Sequence, residues 1–127
     1  MLNKDGIIKK KYGAPVQILA NVEHQYSVGC RVPASMGVDV GDGLKIVKAG
    51  TPININLLDT STAVTAATST CNAVLLHNVD VTNAKTGEAV NGTALIWGFV
   101  NLNRVEEDVQ TKLKAQTSMG KITLVKL

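Results

Sequence analysis

Aromatic residues are nearly missing from this chain, which has one Trp, two Tyr and one Phe among 127 residues. Any core must therefore be built from Val, Leu, Ile and Ala, and a hydrophobic content of 45% supplies enough of them. No apolar run approaches the ~20 residues a membrane helix needs, so no membrane partner is expected. The N-terminal stretch MLNKDGIIKKKYGAP lacks the apolar segment of a secretory signal. The two cysteines, Cys30 and Cys71, read as free, partly buried thiols in a reducing compartment. The two histidines, His24 and His77, have no metal-ligand neighbour at i+2 to i+4, and His77 reads as a packed or hydrogen-bonded strand residue. No phosphate loop, nucleophile elbow or zinc pattern occurs. The expectation is a chain that is not an enzyme and has no catalytic residues, cofactor or metal.

What is there is β pattern. The stretch from Ala73 to Asn103 carries two apolar runs, Ala73–Val81 and Thr93–Val100. They read as a long antiparallel pair at the centre of a small β domain, joined through Thr82–Gly92 with Asn91-Gly92 as a turn signal. Leu95, Trp97 and Phe99 share one face of the second run. Leu44–Val47 and Pro52–Leu58 read as strands, with Ile53, Ile55 and Leu57 alternating against polar neighbours. Pro15–Ala20 is a plausible first strand. In Val22–Val32, Tyr26 and Val28 are placed on one buried face. Pro33–Gly43 is a turn-rich loop, whose Asp39 and Asp42 lack the spacing of a calcium loop. Asp59–Thr70 is low in complexity and reads as a loop or surface strand.

Asn103, followed by Glu106, opens the one convincing helix. Its acidic first turn and basic last turn suit the helix dipole, and Val105, Val109 and Leu113 form its apolar stripe. Lys121–Leu127 alternates as a final strand. The fold class is mainly β with one short helix in the C-terminal half.

Charge is concentrated at one end. Lys4, Lys9, Lys10 and Lys11 against Asp5 place in the first twelve residues a charge equal to the chain's net +3. Residues 1–13 read as a flexible basic arm and 14–127 as a single β-rich domain. The arm is either a solvated end or a segment that docks on an acidic or polar protein surface. No aromatic or arginine interleaving supports direct nucleic-acid binding.

Four segments, KIVKAGTPI (Lys45–Ile53), AVLLHNVDVT (Ala73–Thr82), NGTALIWGFVNLNRV (Asn91–Val105) and KITLVKL (Lys121–Leu127), occur in an order that resembles the tailed-phage head decoration and head-fibre family. The resemblance implies a β-tulip or β-clip-like domain that cements the outer surface of an assembled capsid. It would be made in the bacterial host cytoplasm and reside on the virion. Its partners would be the major capsid protein and itself, as a homotrimer at three-fold or quasi-three-fold positions. Capsid binding then falls to Ile7, Ile8, Lys9, Lys10, Lys11 and Tyr12. Oligomer contact falls to Ile53, Ile55, Leu95, Trp97 and Phe99. Asn78 departs from the acidic residue expected at its place. The alternative is a small β-barrel carrier or binding module without catalytic activity, although Lys48 lacks the flanking residues of a modifiable lysine.

Overall fold

The computed structural model describes residues 17–127, so Ile7, Ile8, Lys9, Lys10, Lys11 and Tyr12, expected to bind a capsid, lie outside the described residues. The domain is mainly β, and strand β8 (Ala89–Asn101) is its hub. Along one edge β8 pairs antiparallel with β1 (Tyr26–Pro33), from Pro33 opposite Ala89 to Tyr26 opposite Trp97. Along the other edge it meets two strands in succession. The first is β6 (Ala73–Leu75), antiparallel through Val74–Leu95 and Leu75–Ala94. The second is β9 (Lys121–Val125), which runs parallel from Trp97–Lys121 to Asn101–Val125.

A parallel pair cannot be joined by a tight turn and needs a crossover. Residues 102–120 provide it, through a 3₁₀ turn (Leu102–Arg104) and helix α1 (Glu107–Lys114). The sheet continues from β6 to β4 (Pro52–Asn54) and β5 (Thr65–Ala66). It then curls until the segment before β5 reaches β1 again, where Val64 N–H donates to Arg31 O at 2.9 Å. A smaller sheet of β2 (Val38–Gly41), β3 (Leu44–Val47) and β7 (Val79–Asp80) packs beside it.

Two aliphatic cores result. One fills the curl with Cys30, Val32, Val47, Ile53, Ile55, Val64, Leu75 and Ala94, among others. The second lies between the opposite face of the sheet and the crossover, where Leu95, Val100 and Ile122 meet Val105, Val109 and Leu113. The expected helical stripe is therefore the one that packs.

Several local expectations are corrected. Ala73–Val81 is not one strand but β6 and β7, which belong to different sheets. The chain leaves the first sheet after Leu75, and Asn78 Oδ1 accepts from the Ala49 N–H at 2.7 Å. The Asn at this place thus holds the Lys48–Thr51 turn. Asn91-Gly92 is not a turn but lies inside β8. A Cβ on Gly92 would come within 3.0 Å of Val32 and 3.1 Å of Val79, so the glycine permits a close approach inside the curl.

The helix begins at Glu107 rather than after Asn103. Asn101 Oδ1 accepts from the Asn103 N–H at 3.0 Å, so that capping bond opens the 3₁₀ turn instead. Asn103 Nδ2 reaches the carbonyl of Leu127. The loop Pro33–Gly43 does turn as expected, through left-handed Gly41, Asp42 and Gly43, but it also contains β2. Asp39 Oδ1 accepts from the Gly41 N–H at 2.9 Å within that turn. Of the expected first strand, the described part makes one bridge, Leu19 to Val100.

Candidate functional site

The site is a sheet face created by one extra residue. Ser27 stands opposite Leu95, yet Tyr26 stands opposite Trp97, so Ile96 has no counterpart on β1. Such a bulge reverses the in-out alternation of everything beyond it. Before the bulge, Ala94 faces the curled core while Leu95 faces the crossover core. Beyond it, Val100 faces the crossover core, and Trp97 and Phe99 emerge on the opposite side.

Leu95, Trp97 and Phe99 therefore do not share a face. Leu95, Ile53 and Ile55 are buried inside the subunit and are unavailable for subunit contact, which corrects three of the five contact residues. Trp97 and Phe99 are 42% and 39% exposed. Tyr26, expected to be buried, is 60% exposed, while Val28 packs on the core.

Register places Tyr26 beside Trp97, and Lys121 and Thr123 of β9 beside Trp97 and Phe99. Three of the chain's four aromatic residues thus lie together on an exposed sheet face; the fourth, Tyr12, lies outside the described residues. Neither core contains an aromatic side chain among the described residues. The rarity of aromatics was legible in the sequence, and so was their spacing on β8. The bulge that turns them outward carries no residue signature there.

Elsewhere the polar groups serve the fold. Lys48 Nζ lies 3.0 Å from Asp108 and 3.8 Å from Glu106, tying the turn before β4 to the start of α1. Burial works to raise the Asp108 carboxyl, but the hydrogen bond and charge of Lys48, together with the backbone N–H groups of Val109 and Asp108, outweigh it and hold the group below its ordinary value. Burial pushes both the Cys30 and the Cys71 thiol up, and neither forms a disulfide. His77 Nδ1 is buried without a hydrogen-bond partner among the described residues, and His24 contacts Asn21 at the surface.

The surface hollows are shallow. One of about 380 Å³ contains Asp80 and Glu88. Both carboxylates are engaged with backbone, Asp80 with Thr82 N–H and Glu88 with Lys85 N–H. Among the described residues no group of three or more His, Cys, Asp or Glu could hold a metal ion. No described helix is long and apolar enough to cross a membrane. No family model, curated protein or solved structure matches the chain.

Proposed function

We propose that this chain is a non-catalytic phage head decoration protein, which associates as a homotrimer on the outer surface of an assembled capsid and stabilises it. The observation that carries the reading is the exposed Tyr26–Trp97–Phe99 face on an otherwise aliphatic domain. Large aromatics bury the most area per side chain and are enriched where proteins meet. A domain whose described aromatics lie outside both cores and are grouped on a sheet is suited to being covered by protein.

Resemblance to the head decoration family supplies the partner; three of the four segments that carry it each form a connected part of the fold, and the fourth, AVLLHNVDVT, is divided between β6 and β7. KIVKAGTPI spans β3, the Lys48–Thr51 turn and the start of β4. NGTALIWGFVNLNRV spans most of β8 and the 3₁₀ turn, and KITLVKL supplies β9. Association on a shell is favoured by mass action, because a protein that binds only the assembled lattice stabilises it by its own binding free energy. The basic N-terminal residues supply the capsid contact in this reading, and Trp97 and Phe99 the contact between copies. Carrier function is less well supported, since Lys48 is mostly buried and paired with Asp108.

The test is to add the purified chain to heads assembled from the capsid protein of the same genome and stripped of this protein. Pelleting and electron microscopy should show the chain on the outer surface, clustered in threes. Failure to co-sediment with intact heads rejects the capsid reading. Copies spread singly over the lattice reject the trimer.

A further inference from the structure

Besides the aromatic face, the molecule exposes a second apolar feature of a different shape. The loop from β4 to β5 carries Leu57 and Leu58, which are 52% and 99% exposed. This tip is braced by side chains. Asn56 Oδ1 accepts from the Leu58 N–H at 3.0 Å, and the Asp59 N–H donates to Asn56 O at 3.2 Å. Asp59 Oδ1 then accepts from both the N–H and the hydroxyl of Ser61, and the Thr62 N–H donates to Asp59 O at 3.2 Å. Two successive capped turns thus fix the loop, and the Val64–Arg31 bond anchors its far end to β1. Apolar side chains presented on a braced loop lose less freedom on contact than side chains on a slack one.

We propose that the Leu57–Asp59 tip of one copy docks head-to-tail on the Tyr26–Trp97–Phe99 face of a second copy, with Asp59 beside the second copy's Lys121. Shape is the first support. A projecting tip and a sheet face are each a poor match for themselves and a better match for each other, and a tip-to-face contact repeated head-to-tail closes into a ring when the rotation allows. Charge is the second. Asp59 follows the two leucines directly, and its hydrogen bonds from Ser61 hold the carboxyl below its ordinary value, so it is ionised near neutral pH. Lys121 lies beside Trp97 in the sheet register and is exposed.

Size is the third. Three partly exposed aromatics offer a few hundred Å², short of the ~800 Å² per partner of a standard interface. In a ring each copy makes that small contact twice, its tip on one neighbour and its face on the other, so closure holds together what a single contact of this size would not. This deepens the self-association part of the proposed function and rests on that reading only for the ring size of three.

Cross-linking of full-length chains in solution, without capsids, tests the contact directly. A Leu58→Cys chain mixed with a Phe99→Cys chain under mild oxidation should form a covalent heterodimer. It should do so several-fold faster than either variant forms homodimers, and faster than Leu58→Cys reacts with a Glu107→Cys control. Placing Asp59→Lys in the Leu58→Cys chain should slow the reaction roughly two- to five-fold, as expected for a surface charge pair. Adding Lys121→Glu to the Phe99→Cys chain should restore the rate. Homodimers forming fastest, a rate equal to that of the control, or a charge swap without rescue would overturn the head-to-tail contact. Because no capsid is present, these outcomes are independent of capsid binding.

Discussion

The two halves of β8 are made of similar residues and meet opposite fates. In the first half, Ala94 and Leu95 are adjacent and both are fully buried, one in each core. In the second, Val100 is fully buried while Trp97 and Phe99 are exposed. Hydrophobicity does not separate these positions, since the exposed pair are the larger apolar side chains. What separates them is coverage. The curl of β4, β5 and β6 ends before the bulge at Ile96, and β9, which flanks the second half, brings crossover packing to one face only. Before the bulge both faces of β8 are core; beyond it an apolar residue is core or surface according to which face it occupies.

The sharpest way to break this contrast is Leu95→Ala. Leu95 is fully buried between β1, β6 and the crossover. Its truncation should cost about 2–5 kcal/mol, through lost burial and the cavity left behind. Thermal unfolding of the purified variant measures it. A midpoint close to that of the unaltered chain would mean that β8 does not run between two cores.

Gly92→Ala probes how tightly the covered half is closed. The new methyl would meet Val32 and Val79 at 3.0 and 3.1 Å, closer than those side chains accept without moving. Overpacking of this kind costs about 1–3 kcal/mol. Denaturant unfolding should show a lower midpoint with an unchanged slope. A neutral result would show that the curl has slack near its mouth.

How far this division could be read from the sequence follows from the range of the interactions involved. β3, β9, the hub strand and the Val109–Leu113 stripe are legible because periodicity within one segment decides them. The break between β6 and β7 is not, because the apolar residues within 73–76 and 79–81 read as one run and the side chain of Asn78 serves a turn from a distant part of the chain. Asn91-Gly92 has turn chemistry, yet its glycine answers to Val32 and Val79, which are remote in sequence. The parallel placement of β9 depends on the crossover packing against β8, which no pattern within Lys121–Leu127 encodes. The aromatic face was missed in part for a related reason. Spacing put Leu95, Trp97 and Phe99 together, and a pairing irregularity with β1 separates them.

Trp97→Ala tests the uncovered half. With 42% of its surface exposed, the indole loses less burial than a core side chain does. A stability cost of roughly 1–2 kcal/mol is expected, below that of Leu95→Ala even though more atoms are removed. The same thermal assay checks it. A Trp97 effect larger than the Leu95 effect would invert the assignment of core and surface along β8.

The smallest expected effect lies at the crossover, where Lys48 joins the covered half of the molecule to the first turn of α1. The carboxyl of Asp108 lies below its ordinary value of ~3.9 in the folded chain, because the Lys48 bond and charge and the backbone N–H groups of Val109 and Asp108 together outweigh the effect of burial. A carboxyl depressed by folding contributes stability that is fully present above its unfolded value. That contribution fades as pH falls through ~3.9 towards the lower folded value, where the protonated acid no longer attracts Lys48. Asp108 is about half exposed, so solvent screening limits the contribution to a few tenths of a kcal/mol. Asp108→Asn removes the charge at every pH. Its midpoint should therefore lie slightly below that of the unaltered chain at pH 7, and the two should converge as the solution is acidified below about pH 4. Taking the difference between the two chains cancels the titration of the other carboxylates. A difference that persists unchanged at pH 3 would show that Asp108 acts through packing or its bond to the backbone, and that the charge of Lys48 adds nothing to the hold between turn and helix.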